Sequence, residues 1–266
     1  MHCRDNVAVY LAPIDGMFNR TFEDEANAPT KKIIEGWGAA ADTVWMWLYN
    51  TNFSHYLVPY NCWDTMIERY RFCKANNAAL MYDQGQWNNQ TQTGFTHLKQ
   101  YISSKALWDT SVELPEILDD YFNGCFDVAA ESMRKFFEEL QNWLTYLEEN
   151  TNGRMNGNIY LESEQREFWP KALLLQWESY IEEAYDAIRV YQIEDPETYK
   201  GLEKQIKRES VFLQWELLYL YGSEFSEEEF LARKAKLTDD CLDLNITYYQ
   251  ELAELKPVLN GMSWGN

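Results

Sequence analysis

Three short apolar runs constrain the first half of this chain more than any other feature. Val7-Ala8-Val9-Tyr10-Leu11-Ala12, Thr43-Val44-Trp45-Met46-Trp47-Leu48-Tyr49 and Ala78-Ala79-Leu80-Met81-Tyr82 are each bounded by polar or turn residues, and they begin 36 and 35 residues apart. Runs of this length read as buried strands, and the spacing is about that of one strand–helix–strand repeat. Between the second and third runs, Met66, Tyr70 and Cys73 recur at helical spacing. After the third, Leu98, Ile102 and Leu107 do the same within Phe95 to Leu107. Strands alternating with helices predict a parallel sheet in the order β(α)βαβα, because each crossover helix carries the chain back to the same end of the sheet.

From about Val112 the strand signal stops and helical periodicity takes over, so the chain is expected to divide into an α/β part over 1–111 and an all-α part over 112–266. Phe136, Phe137, Leu140, Trp143, Leu144 and Leu147 form one stripe, and Phe168 to Ile181 falls in a second helical segment that ends before Asp195-Pro196. That dipeptide starts a third helix: Asp195 caps it and Pro196 suits its first turn. Its inner face is Leu202, Ile206, Leu213, Leu217 and Leu220. Ser226-Glu227-Glu228-Glu229 is a capping box for a fourth helix, read as running from Phe230 to Leu255, with an irregular tail from Pro257. Four amphipathic helices imply a bundle.

Charge removes several classes of partner. With 23 basic against 43 acidic residues, the net charge of −20 repels phosphate backbones and anionic lipid. Nucleic acid and membrane are therefore not expected partners. No apolar stretch reaches the roughly 20 residues that cross a bilayer, and the N-terminal residues lack the order of a signal peptide. Five scattered cysteines without a C-x-x-C pair, and three isolated histidines, signal neither a disulfide framework nor a metal site, and no motif calls for a cofactor. The aromatic content of 16% has two readings that are both expected to hold: bulky helix cores, and platforms on which sugar rings stack.

The segment from Val7 to about Leu140 resembles a glycoside hydrolase group catalogued as domain of unknown function 4838 and associated with glycoside hydrolase family 163. The resemblance rests on Leu11-Ala12-Pro13-Ile14-Asp15, on Trp47-Leu48-Tyr49-Asn50-Thr51-Asn52-Phe53-Ser54-His55-Tyr56-Leu57-Val58-Pro59-Tyr60, and on Met81-Tyr82-Asp83-Gln84-Gly85-Gln86. Leu98 to Trp108 and Tyr121-Phe122-Asn123-Gly124-Cys125-Phe126 extend it. It implies the C-terminal three strand-helix units of a (β/α)8 (TIM-type) barrel followed by an α-helical domain. It also implies action on N-acetylglucosamine-containing glycans by an endo-β-N-acetylglucosaminidase-like, retaining and substrate-assisted route, in a bacterial secreted or cell-surface setting. Two positions depart from the family pattern: Asp83 stands where relatives tend to carry Glu, and Leu48 where they often carry Asp. Three strand units close no barrel, and the resemblance implies that the acidic pair lies on an earlier strand, so weak or absent hydrolysis is expected of this chain alone.

In barrels, functional residues sit where strands end and the following loops begin. Those positions here are Asp15, then Trp47, Tyr49, Asn52 and His55, then Asp83, Gln84 and Trp87. Asp15 and Asp83 are the candidate catalytic pair, one to protonate a leaving oxygen and one to act as base or steady a substrate acetamide. The others are candidates for substrate binding, the aromatics by stacking and Asn52, His55 and Gln84 by hydrogen bonding. For each, a structural use competes: a loop hydrogen bond for the polar residues, core packing for the rings. Two rival functions remain open at this point, a non-catalytic glycan-binding module and a purely structural subunit. Unpaired strand edges further predict self-association or a partner chain at the open edge of the sheet.

Overall fold

The computed structural model describes residues 2–86 and 93–265. In the first half, β1 (Val9–Leu11), α1 (Ala28–Ala40), β2 (Val44–Tyr49), α2 (Met66–Ala75), β3 (Ala78–Gln84) and α3 (Thr96–Ala106) alternate along the chain. The strands form one sheet in the order β1-β2-β3, and both pairings are parallel. Side chains alternate across a strand, and the alternation sorts this sheet sharply. Val44, Met46 and Leu48 are fully buried on the face that packs with α1, α2 and α3. Trp45 and Trp47 point to the opposite face, where the register sets them beside Tyr10, Leu80 and Tyr82. Trp45 is 41% and Tyr82 48% exposed there.

The second half contains α4 (Leu114–Phe126), α5 (Ala130–Asn150), α6 (Lys171–Ile188), the short α7 (Tyr191–Glu194), α8 (Pro196–Tyr221) and α9 (Glu227–Asp243). Both expected caps form: Asp195 Oδ1 accepts from Thr198 N at 3.2 Å, and Ser226 Oγ accepts from Glu229 N at 3.2 Å. Helix α8 is the centre of the assembly. Every residue from Glu209 to Leu218 is buried, so this stretch has no solvent face, the mark of a helix enclosed by others. Trp177 and Phe212 pack there with Trp169. Among the described residues, no helix is long and apolar enough to cross a membrane.

The end of the chain differs from the expected long fourth helix and irregular tail. Helix α9 stops at Asp243, and a hairpin of β4 (Tyr248–Gln250) and β5 (Ala253–Glu254) leads into α10 (Leu255–Gly261). The stop has a local cause. Asn245 adopts a positive φ of 55°, and Ile246 N donates to Cys241 O at 2.8 Å, the six-to-one bond that closes a helix with a left-handed residue. Apolar spacing runs on through this point, but the backbone turns.

The two halves share one hydrophobic core. The loop after β2 is gripped from the helical side: Phe53 N donates to Ile159 O at 2.7 Å, Tyr56 N to Tyr249 O at 2.7 Å, and Glu251 N to Phe53 O at 3.0 Å. Thr93 Oγ1 donates to Arg208 O at 2.7 Å, and Glu209 accepts from Phe95 N at 2.6 Å, anchoring the start of α3 on α8.

Candidate functional site

The open face of the sheet gathers three of the candidate residues. Trp47 Nε1 donates to Gln84 Oε1 at 2.7 Å, which fixes the indole across the β2–β3 boundary. Its ring lies 5.8 Å from Tyr10, 5.2 Å edge-on from Tyr82, and 6.4 Å stacked from Tyr49. Such offset and edge contacts favour one ring orientation. Tyr49 itself is buried, its ring against Phe18 and Phe53 at 5.5 and 6.1 Å. Burial raises its phenol above the usual range, with Tyr160 and Tyr10 adding to the shift. Tyr49 thus supports the platform from below while Trp47 and Tyr82 form its surface.

Asn52 is committed elsewhere. Its Nδ2 donates to Leu161 O at 2.7 Å while its Oδ1 accepts from Leu161 N at 2.9 Å and Ser54 N at 3.1 Å. A side chain with its donor and acceptor both spent on backbone is a clamp between loops. His55, next along the same loop, meets two carboxylates from the helical half: Nδ1 stands 2.9 Å from Glu164 Oε2 and Nε2 3.4 Å from Glu162 Oε2. Burial alone pulls the imidazole down, but Glu164 and then Glu162 together raise its pKa above the ordinary value. Trp215 Nε1 donates to Glu164 Oε1 at 2.5 Å, so both oxygens of Glu164 are held. Behind it, on α8, Glu216 is fully buried, and neither of its oxygens has a hydrogen-bond partner among the described residues. Burial, then the Glu164 charge, pushes the Glu216 carboxyl well above its ordinary value.

The two candidate acids are not brought together with the aromatic face. Asp83 is in register with Leu48, on the helix-facing side, where its Oδ2 accepts from the Tyr70 hydroxyl and from Ser103 Oγ. Near it, Lys99 is buried and donates to Asn50 O at 3.0 Å beneath the rings of Tyr60 and Trp63. Burial lowers the Lys99 amine, and Cys62 and Asp83 pull the other way. Asp83 is thus placed as a polar tie within the strand–helix layer. Asp15 is exposed after β1 and makes no side-chain hydrogen bond or ion pair with another described residue. Trp87 lies outside the described residues.

Sequence reasoning missed Glu162 and Glu164, which belong to the helical half and meet His55 only through folding, and Glu216, which is buried near Glu164. One local signal was present: Glu162-Ser163-Glu164 is a short acidic run in a connection that is too polar to be helix core. Rings link this cluster to the sheet face, from Trp47 to Tyr49, Phe53 and Tyr160, the last pair 5.8 Å apart. Among the described residues no three His, Cys, Asp or Glu side chains are arranged to hold a metal ion.

These features define an α/β protein with a short parallel sheet, aromatic on its open face, followed by a helical region that completes the loops at the strand ends. The chain belongs to the DUF4838 family, a domain of unknown function, whose model matches residues 1–138. No curated protein and no solved structure matches the chain.

Proposed function

We propose that this chain is a carbohydrate-active protein of the glycoside hydrolase type, similar to family 163, that takes N-acetylglucosamine-containing glycans on the open face of its sheet. In this reading the three strand–helix units are consecutive units of a (β/α)8-type barrel, and the open face is the barrel's inner wall. The observation that carries the proposal is the row Tyr10, Trp45, Trp47 and Tyr82, presented together on one face with Trp47 held in place by Gln84. A sugar ring has an apolar face of C–H groups that stacks on such rings, and a fixed indole loses little freedom when it does so. The carboxylate of Glu162, exposed beside His55 in the loop after β2, is the acidic group best placed to contact a bound glycan's polar edge.

A non-catalytic glycan-binding role is the second reading, and it is favoured by one specific observation: Asp83 faces the helices and Asp15 stands alone. Binding is therefore expected to exceed hydrolysis. At the free edge of β3 a groove of about 250 Å³ lies beside Trp108, which is 93% exposed. Self-association or a partner chain at this edge is proposed as the way its unpaired backbone is covered.

Calorimetric titration with an N-glycan core oligosaccharide tests the reading. Trp47→Ala is expected to weaken binding by about 1 kcal/mol, in keeping with a single aromatic contact, while Asp83→Asn leaves affinity unchanged. Absence of binding at millimolar glycan, or equal affinity for wild type and Trp47→Ala, defeats it.

A further inference from the structure

A second set of buried polar groups lies apart from the aromatic face, where the loop after β1, the loop after β2, α5 and the turn at Gly157 meet. Asn19, Tyr60, Asn61, Glu148 and Gly157 border a cavity of about 10 Å³, the room of one water molecule. Asn19 is 5% exposed, and among the described residues neither atom of its amide meets full hydrogen-bond geometry, although the amide stands close enough to Glu148 to draw that carboxyl's pKa down. Asn61 donates through Nδ2 to Glu148 Oε1 at 2.9 Å and more weakly to Thr145 Oγ1 at 3.4 Å, which leaves its Oδ1 unmatched. The Tyr60 hydroxyl is already donated to Gly157 O.

Asn19 packs directly on the turn. Gly157 has a φ of +75°, and a Cβ built there would fall 1.7 Å from Asn19 Oδ1, so only a glycine leaves the amide its place. The unmatched atoms are then one donor, Asn19 Nδ2, and two acceptors, Asn19 Oδ1 and Asn61 Oδ1. Exchanging the oxygen and nitrogen of the Asn19 amide leaves that inventory unchanged. One water molecule is its complement, since it donates twice and accepts from a donor. A bare cation would suit the two oxygens and confront the amide N–H with a like-signed partner. Leaving all three unmatched in the interior is costly, which is why buried polar atoms nearly always find partners.

We infer that this cavity is a built site for a single water molecule, which bridges Asn19 and Asn61 and holds the turn around Gly157 against the two sheet loops. The same turn leads directly to Leu161, gripped by Asn52, and to Glu162 and Glu164. The site lies on the same connection as the carboxylates that meet His55, and it stands whether or not the sheet face binds glycan. A neutral guest also suits the charges that face it. Burial pushes the Glu148 carboxyl up to about 7, while Asn19, Asn61 and Arg20 draw it down and Asp64 adds to the rise.

A high-resolution crystal structure of the full chain, with a second crystal soaked in thallium(I), tests the inference. The expected result is one density peak within hydrogen-bonding distance of Asn19 and Asn61 that gives no anomalous signal after the soak. An anomalous peak there, or an Asn19 amide bonded directly to Glu148 with no density between them, overturns it. In solution, water oxygen-17 relaxation dispersion should count one long-residence water fewer in Asn19→Leu than in wild type, and equal counts also overturn it. Should Asn19→Leu fail to fold, the wild-type crystal decides alone.

Discussion

The sheet half and the helical half use the same residue types to opposite ends. In the sheet half, Trp45, Trp47, Tyr10 and Tyr82 stand on a face that the helices leave open, because a strand can bury only one of its two faces against a single helix layer. In the helical half, Trp169, Trp177, Phe212 and Trp215 are inside, because α8 is surrounded. Acids divide the same way. Asp83 is tied to Tyr70 and Ser103 in the strand–helix layer, whereas Glu216 is enclosed with neither oxygen hydrogen-bonded among the described residues, and burial pushes its carboxyl well up. Composition alone says nothing of which use a residue serves; the element's geometry decides it.

The largest test of this contrast is Trp177→Ala, which empties a large volume at the centre of the helical half. It should cost about 3–5 kcal/mol, as large-to-small core changes do, read as a lowered midpoint in chemical denaturation. A loss below about 1 kcal/mol would mean that the helical core is looser than its burial indicates.

Next comes Glu216. Its folded pKa lies well above the 4.5 of a free glutamate. The native state thus holds this proton more tightly than the unfolded chain does. The associated stability is full below that value and is lost as pH rises through the folded pKa. Glu216→Leu should flatten this decline and raise stability at alkaline pH by about 1–3 kcal/mol, the scale of burying a polar group without a partner. Parallel pH slopes for wild type and variant would refute it.

A smaller effect is expected where the two halves meet. The raised pKa of His55 means that its pairing with Glu164 and Glu162 contributes fully below the unfolded histidine value, and that this contribution fades as pH rises through the folded one. Glu164→Gln should lower the His55 pKa in an NMR titration and cost about 1 kcal/mol in mild acid, with the difference shrinking in alkali. An unshifted His55 would place the proton's hold elsewhere. The smallest effect belongs to the open face: Tyr82→Ala should change stability by no more than about 0.5 kcal/mol, as surface substitutions do. A larger loss in dilute solution would show that this face is covered.

Much of the first half was legible because its signals are local. The strand runs at residues 7–12, 43–49 and 78–82 fall on β1, β2 and β3, and the strands pair in parallel. The caps at Asp195 and Ser226 were equally plain, since capping needs only residues within one turn. The candidate site was legible in part. Trp47, Tyr49 and Gln84 do meet, because adjacent parallel strands bring their ends together. Asn52 and His55 were singled out as polar loop residues, yet their partners are Leu161, Glu162 and Glu164, more than a hundred positions along the chain. The end of α9 was missed because apolar spacing persists past Asn245, and only its left-handed backbone breaks the helix.

The sequence by itself determined the three strands of the first half, the parallel sense of their sheet and the caps that start α8 and α9, because propensity, periodicity and capping act over a few residues, whereas α4, α7, the β4–β5 hairpin and α10 were not legible in it. Tertiary structure alone decided which side of the sheet stays open, which carboxylates stand beside His55, and that Asp83 turns toward the helices. Those outcomes depend on which distant segments share a core, and that is settled by burying apolar surface across the whole chain rather than by any local preference.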